Sequence, residues 1–389
     1  MDRRGFIQLY DGLGVSVLYP TEARSEPDRI VVIGGGILGT SIAYHLARRG
    51  AQVVQCEKLR PGSGATEKSF ARFKADYRTQ PTPYNLLNRL GMFNWRQLQR
   101  DLKGELQIQW GGNVKWSPPG NAAEKLRLDV RQQDWRYATH LVDKAEVHRL
   151  LPNVTPGPVG AASFTEEEGT VDPVQALAVL LKNAERFGVK LLYPCEVTGF
   201  ELASGRISAV QTNRGRFPAD VVVLAAGVGT PALAGKLGVR VPLKDSPGVL
   251  AHTPVVPPIL ERMARPAGIS IKQNPDGGVV IRGSDFRGPR VTDASREHGQ
   301  QLMRAAAQFV PRLDRVPLER MTLGWRPMPQ DELPIVGFSQ ACPNLYIATM
   351  HSGMTLGPLI GQLTALEILD NADVDLLQPY RLSRFAGLT

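Results

Sequence analysis

The chain has 389 residues, enough for two domains or for one with a large insertion. Its 42% hydrophobic and 21% charged residues describe an ordinary globular protein, and no apolar run approaches the roughly 20 residues of a membrane span. A formal net charge of +9 needs a local cause, whereas Cys56, Cys195 and Cys342, widely spaced and without a Cys-x-x-Cys pair, indicate neither a disulfide framework nor a metal site.

Met1 to Pro20 carries charges and glycines where a signal peptide needs an unbroken apolar core, so the protein is expected to be cytoplasmic. Residues 1–28 are expected to form an N-terminal extension, which their weak periodicity allows to be partly disordered. Ile30 to Ile33 is then a continuous apolar run of the kind a doubly covered parallel strand needs. Gly34, Gly36 and Gly39 follow in Gly-x-Gly-x-x-Gly spacing, with a helical stretch to Gly50 and a second strand, Val53 to Cys56. In such a unit the first glycine turns the chain, the second lets backbone approach a pyrophosphate, and the third lets helix pack on strand. The phosphates would rest on the amides of the helix N-terminus, at Ile37 and Leu38. Glu57 stands 18 residues past Gly39, near the roughly 20 at which a carboxylate takes an adenosine ribose, and an acid there disfavours a 2′-phosphate. NAD and FAD fit this unit equally well.

Pro61 to Thr66 is a loop by composition, and Pro81 to Pro83 breaks the chain before a helix carrying Leu86 to Leu102. Between Lys58 and Lys103 ten Lys or Arg face three acids, so +7 of the excess is local. It is either a field for anionic ligands or nucleic acid, or a solvated helix face. Leu86, Leu87, Leu90, Phe93 and Leu98 fall near helical spacing with Arg89, Arg96, Gln99 and Arg100 on other faces, which favours the solvated face.

Glu105 to Trp116 alternates like a strand, Ala122 to Tyr137 and Lys144 to Leu151 like helices, and Gly160 to Phe164 like a strand. A helix is expected from Val174 to Phe187, short strands to Thr212, and a buried parallel strand from Asp220 to Ala226. Pro242 to Arg320 reads as antiparallel strands, including Ile269 to Gln273 and Val279 to Gly283, closed by a helix from Arg296 to Phe309. Asn344 to Thr349 is a strand and Gly357 to Leu369 an amphipathic helix. Parallel-sheet blocks therefore flank mixed blocks, and the expected fold class is α/β with a nucleotide domain assembled from separated pieces.

Four motifs in order resemble the D-amino acid oxidase, glycine oxidase and sarcosine oxidase superfamily of FAD enzymes. They are the glycine unit with Glu57; Val171-Asp172-Pro173 before a helix; Val222 to Gly227; and Gly324-Trp325-Arg326-Pro327 through Pro334-Ile335-Val336-Gly337 with His351-Ser352-Gly353. The resemblance implies a discontinuous Rossmann-like FAD-binding domain (29–80, 166–240 and 322–389) and a mixed, largely antiparallel α+β substrate-binding domain (81–165 and 241–321). It implies that Gly34, Gly36 and Gly39 hold the pyrophosphate, Glu57 with neighbouring Lys58 the ribose, and Val197 the adenine through its backbone. Ala226 and Gly227 resemble a second contact with the cofactor. Ser63 to Arg72 resembles the stretch that wraps the flavin, through Ser63, Ala65, Thr66, Lys68, Ser69, Phe70 and Arg72. Ser352, Gly353, Met354, Thr355 and Leu356 match a loop whose amides face the isoalloxazine and would stabilise negative charge on the reduced ring.

Arg326 aligns with the arginine that receives a substrate carboxylate in glycine and D-amino acid oxidases, for which a planar guanidinium is suited. The other reading is an ion pair with Asp331 or Glu332 in the same loop. His351 precedes the flavin-facing glycine, where relatives place a polar substrate contact; otherwise it is a structural hydrogen-bonding residue. Ile271, Gln273 and Trp325 are pocket-lining candidates by position. With no cysteine between Met321 and Pro329, the FAD is expected to be noncovalent. The implied activity is oxidation of an amino acid or related carboxylated amine by hydride transfer to flavin N5, giving an imine, with O2 as acceptor and H2O2 released. A dehydrogenase with another acceptor, including one subunit of a heteromeric complex, and a tRNA-modifying member of the family are the alternatives. The expected partner is a small-molecule amine, with neither membrane nor nucleic acid; oligomeric state is not legible.

Overall fold

Val31, Val32 and Ile33 are buried on both faces because their strand, Arg29–Ile33, runs inside a six-stranded sheet. The computed structural model describes residues 17–18, 29–75, 82–120, 137–283 and 291–386. The order in this sheet is Lys190–Leu192, Gln52–Cys56, Arg29–Ile33, Val221–Leu224, Leu345–Thr349 and Ile335–Phe338. All neighbours are parallel except the last pair. Parallel strands need crossovers, and the first is supplied by the helix Ile37–Arg48. That helix packs on Gly353–Leu369, where a Cβ on Gly361 would stand 2.6 Å from Ser41 Oγ and 2.7 Å from His45 Cδ2. A three-stranded antiparallel ribbon, Val197–Ala203, Arg206–Thr212 and Gly215–Pro218, joins the same core through Val197, Ile207 and Val210.

These elements form one compact unit, the described residues of Met1–Ser63, Leu177–Asp245 and Arg326–Thr389. The other unit is Gly64–Ala176 with Ser246–Trp325, so the divisions near 64 and 177 differ from the expected 80 and 166. Of the N-terminal extension, Val17–Leu18 pairs antiparallel with Asp373–Val374, and the rest lies outside the described residues. The helix expected at 122–137 also lies outside them, apart from Tyr137.

The second unit is built on an eight-stranded sheet: Arg320–Trp325, Pro247–Val255, Gly278–Gly283, Ile269–Gln273, Met263–Arg265, Asn113–Ser117, Ala161–Thr165 and Thr139–Val142. The two sequence blocks meet where Met263–Arg265 runs parallel to Asn113–Ser117; the remaining pairs are antiparallel. One face carries the apolar core, including Val114, Trp116, Ala264, Ile271 and Ile281, against residues of the helices Lys144–Leu150 and Arg296–Ala307. A second, three-stranded sheet joins Arg72–Phe73, Gly169–Val171 and Ile108–Gln109.

Two readings need correction. In the helix Thr82–Asp101, Leu86 and Phe93 are exposed at 44% and 46%, while Tyr84, Met92 and Trp95 join Leu87 and Leu98 inside. Its cations are also not simply solvated: Arg89 pairs with Glu167, and Arg96 lies over the Trp110 ring at 3.9 Å and donates to the Glu167 carbonyl. The helix placed at Gly357 starts at Gly353 and is buried almost all round, so it is not amphipathic.

Candidate functional site

In the first unit the glycine turn sits at the carboxyl end of Arg29–Ile33. Gly34 has φ +117°, a conformation that favours glycine, and a Cβ there would lie 2.3 Å from the Ala225 carbonyl oxygen. A Cβ on Gly39 would lie 2.2 Å from Gly34 O, which is the close helix–strand contact that the third glycine permits. Gly36 caps the helix Ile37–Arg48 without a side-chain cap bond, leaving Ile37 and Leu38 in its first turn. Glu57 stands at the end of the neighbouring strand. Its Oε2 accepts from Gly35 N at 2.7 Å and its Oε1 from Leu59 N at 2.9 Å. Gly35 is a contact that the spacing alone did not single out: a Cβ there would meet Glu57 Cβ at 2.8 Å. The fully buried Gln55 was missed as well; its amide donates to Gly34 O and Thr40 Oγ1, fixing the turn from beneath.

Lys58 is turned to Glu196 at 2.8 Å, and Val197 opens the antiparallel ribbon while packed in the core. The Cys195 amide donates to the Glu57 carbonyl, so the segment before Val197 is tied to the end of the strand that carries Glu57. Ser63 donates its amide to Arg60 O, and Gly62 donates to Gly35 O, bringing the loop back to the glycine turn. Ala225 N donates to Ile33 O, after which Ala226 and Gly227 enter a short 3-10 turn with Gly227 at φ +58°.

Ser352 to Leu356 is a helix start rather than a loop. Ser352 is the N-cap of Gly353–Leu369 and makes no side-chain cap bond, and Leu356 N donates to Ser352 O. Ile37, the first residue of the glycine helix, lies 3.9 Å from a Cβ on Gly353 and 3.7 Å from one on Gly357. Two helix N-termini without side-chain caps therefore stand side by side, and their amide ends together favour negative charge. Met354, Thr355 and Leu356 are buried in that turn, with His351 half-buried before it.

Arg326 is half-buried in the same unit, and burial pushes its guanidinium below its ordinary pKa while Glu332 pulls the other way. Both acids of its loop are held by other cations, Asp331 by Arg384 and Glu332 by Lys244.

The second unit holds Ala65 to Arg72. Lys68 packs under Gly324, where a Cβ would lie 2.6 Å from Lys68 Cβ. Ser69 N donates to Thr66 O and Ser69 Oγ accepts from Ala71 N, fixing a turn in which Ala71 has φ +51°. Phe70 is buried with Leu250, Met263 and Val280 on the sheet face opposite the apolar core, and Arg72 pairs with the buried Glu168 at 3.3 Å. Ile271 and Gln273 do not line a pocket. Ile271 belongs to the apolar core, and Gln273 accepts from Ile259 N and Leu260 N and donates to three carbonyls. Strand alternation turns Ser270 and Lys272 to the opposite face instead. Trp325 is 43% exposed.

A family model described as FAD dependent oxidoreductase, DAO, matches residues 29–366. The chain belongs to that family. The bifunctional protein ThiO/ThiG of Nostoc sp. is 29% identical over 371 residues, covering 91% of this chain and 55% of that protein. The mitochondrial sarcosine dehydrogenase of Homo sapiens is 26% identical over 412 residues, covering 97% and 44%. The chain thus spans about half the length of these relatives. The crystal structure of glycine oxidase from Geobacillus kaustophilus superposes with a TM-score of 0.81 at 23% identity, covering 92% of this chain and 99% of that one. The family is described as FAD dependent oxidoreductase, and the residues present fit FAD: a closely packed glycine turn, two adjacent helix N-termini without side-chain caps, and Glu57 at the strand end. Among the described residues no helix is long and apolar enough to cross a membrane.

Proposed function

We propose that this DAO-family chain oxidises an amino acid or a related carboxylated amine to the imine, using noncovalent FAD, with O2 as the acceptor and H2O2 as the second product. The amine loses two electrons and two protons from its C–H and N–H bonds; O2 gains the same to become H2O2. When bound, FAD carries the two electrons between them. In this reading Gly34, Gly36, Gly39, Ile37 and Leu38 take the pyrophosphate, Glu57 the ribose, and the amides of Gly353 to Leu356 the charge that the reduced ring acquires. Carboxylate lone pairs beyond those used by Gly35 and Leu59 leave Glu57 able to accept from a ribose hydroxyl. Noncovalent attachment is supported by the cysteines, since Cys56, Cys195 and Cys342 are all buried in the apolar core of the first unit.

The observation that carries the substrate assignment is Arg326. It is half-buried in the first unit, where burial pushes its guanidinium below its ordinary pKa while Glu332 pulls the other way, and Glu332 and Asp331 are also held by Lys244 and Arg384. A guanidinium so placed receives a carboxylate through two parallel hydrogen bonds and holds the alpha carbon in position. His351 is assigned the role of acceptor for an amine proton. The test is Arg326→Ala against Arg326→Lys. The account expects the alanine variant to raise KM for carboxylated amines by at least about tenfold, and an unchanged KM would remove the carboxylate role.

The second reading is a dehydrogenase, favoured by the match to a sarcosine dehydrogenase. Stoichiometric peroxide under air supports the oxidase; turnover only with an added acceptor supports the dehydrogenase. The tRNA-directed alternative draws no support from the basic region, because Arg89 and Arg96 are committed to Glu167 and Trp110.

A further inference from the structure

Glu332, in the first unit, has its backbone in the left-handed region at φ +68°. That conformation costs energy for a residue with a Cβ, and it persists only where the surroundings hold it. Several contacts do so here. Glu332 N donates to Pro329 O at 2.9 Å, closing a turn, and Gln330 N donates to Pro242 O at 3.1 Å. The residues on either side share one clamp: Arg384 donates to the two carboxylate oxygens of Asp331 at 2.7 and 3.1 Å, and to Leu333 O at 3.1 Å. The Glu332 side chain is held separately, accepting from Lys244 Nζ at 2.5 Å.

Lys244 reaches this loop from a distant part of the chain. Leu243–Lys244 pairs antiparallel with Met328–Pro329, and Lys244 is in register with Met328, two residues after Arg326. Among the described residues Glu332 is the acid whose charge acts on the Arg326 guanidinium, favouring its charged form. The same negative charge opposes a carboxylate arriving at Arg326. An ion pair as exposed as Lys244–Glu332, at 39% and 55%, adds little to stability. Its effect on local charge is larger. Arg326 and Glu332 alone would cancel, as Arg384 and Asp331 do, whereas with Lys244 the group keeps a positive charge that draws in an anion.

We propose that Lys244 is a positioning residue for substrate binding: by holding and neutralising Glu332, it lets Arg326 attract an incoming carboxylate rather than an internal one. The strained, clamped backbone at Glu332 keeps that carboxylate where Lys244 can engage it. No change in the other contacts of Arg326 is required. The inference rests on the carboxylate role of Arg326 given above, and adds the ion pair that sets its strength.

The test titrates FAD-loaded protein with acetate, as the simplest carboxylate, and follows binding by calorimetry and by the flavin spectrum. K244M binds acetate about 3- to 10-fold more weakly than wild type, and K244R binds it as wild type does. E332Q binds acetate at least as tightly as wild type. The double variant K244M/E332Q returns to within about twofold of wild type, because the acid that Lys244 restrains is gone. A merely structural lysine would not be rescued in that way. In kinetics with a carboxylated amine, KM follows the same order while kcat stays within about twofold, since Lys244 bears on binding and not on the transfer step. Wild-type acetate affinity in K244M, or a double variant as weak as K244M, would overturn the proposal and leave the role of Arg326 standing. Arg326→Ala that binds acetate as tightly as wild type would overturn the carboxylate reading itself, and the proposal with it.

Discussion

Glu57 Oε2 accepts a hydrogen bond from Gly35 N at 2.7 Å, and Glu57 Cβ occupies the space a side chain at Gly35 would need. The carboxylate proposed for the ribose and the turn proposed for the phosphates are thereby one rigid piece, with Gln55 bracing Gly34 from below.

The glycines of the turn are therefore not interchangeable with alanine. Gly39→Ala would force a methyl to 2.2 Å from Gly34 O, and Gly35→Ala would displace Glu57. Each is expected to lower stability by about 1–3 kcal/mol and to weaken FAD retention. Gly235→Ala is the control, since its Cβ meets nothing within 4 Å; thermal melting and the flavin-to-protein absorbance ratio read all three.

Glu57→Gln keeps the shape but halves the acceptor capacity of the group and removes its charge. FAD is expected to bind about 10- to 100-fold more weakly, measured by titrating apoprotein and following flavin fluorescence. Equal affinity would mean that Glu57 serves only Gly35 and Leu59.

FAD held without a covalent bond should appear in the supernatant after acid precipitation, while flavin in the pellet would contradict the noncovalent account.

Glu367 is a structural carboxylate and gives a stability prediction in the first unit. It is 3% exposed, accepts from Tyr346 OH at 2.7 Å and Val374 N at 3.2 Å, and is paired with Arg381. Burial and the adjacent carboxylate raise the Tyr346 pKa well above the ordinary value. Arg381→Ala strands the buried charge and should cost about 3–5 kcal/mol in denaturant unfolding.

Lys272 should leave a mark on the pH dependence of stability. Burial lowers its pKa from 10.5 to about 7. Between those values the unfolded chain binds a proton that the folded chain does not, so this group's contribution is least favourable below about pH 7 and improves up to about pH 10.5. K272M removes it. Its melting temperature should exceed wild type most near pH 6, with the difference shrinking toward pH 10. A difference that is flat with pH would show that Lys272 is not held near 7.

Sequence spacing made the dinucleotide turn legible because every determinant is local: a strand, three glycines and a carboxylate at fixed distances. The face of a strand is harder to assign. In Ile269 to Gln273 alternation separates Ile271 from Lys272, yet both faces are covered, so Lys272 is buried and an isoleucine that reads as pocket lining is core. The start of the last helix was obscured for a similar reason. Its first turn, Gly353 to Leu356, has no capping side chain, and burial all round hides the helical period.

The central claim is that bound FAD oxidises a carboxylated amine. The most direct measurement is anaerobic mixing of the yellow, FAD-loaded protein with a panel of D-, L-, N-methyl and N-carboxyalkyl amino acids while recording the visible flavin absorption. The account predicts bleaching by members of the panel, and colour returning with peroxide on admitting air. A flavin that stays oxidised with every carboxylated amine would contradict it.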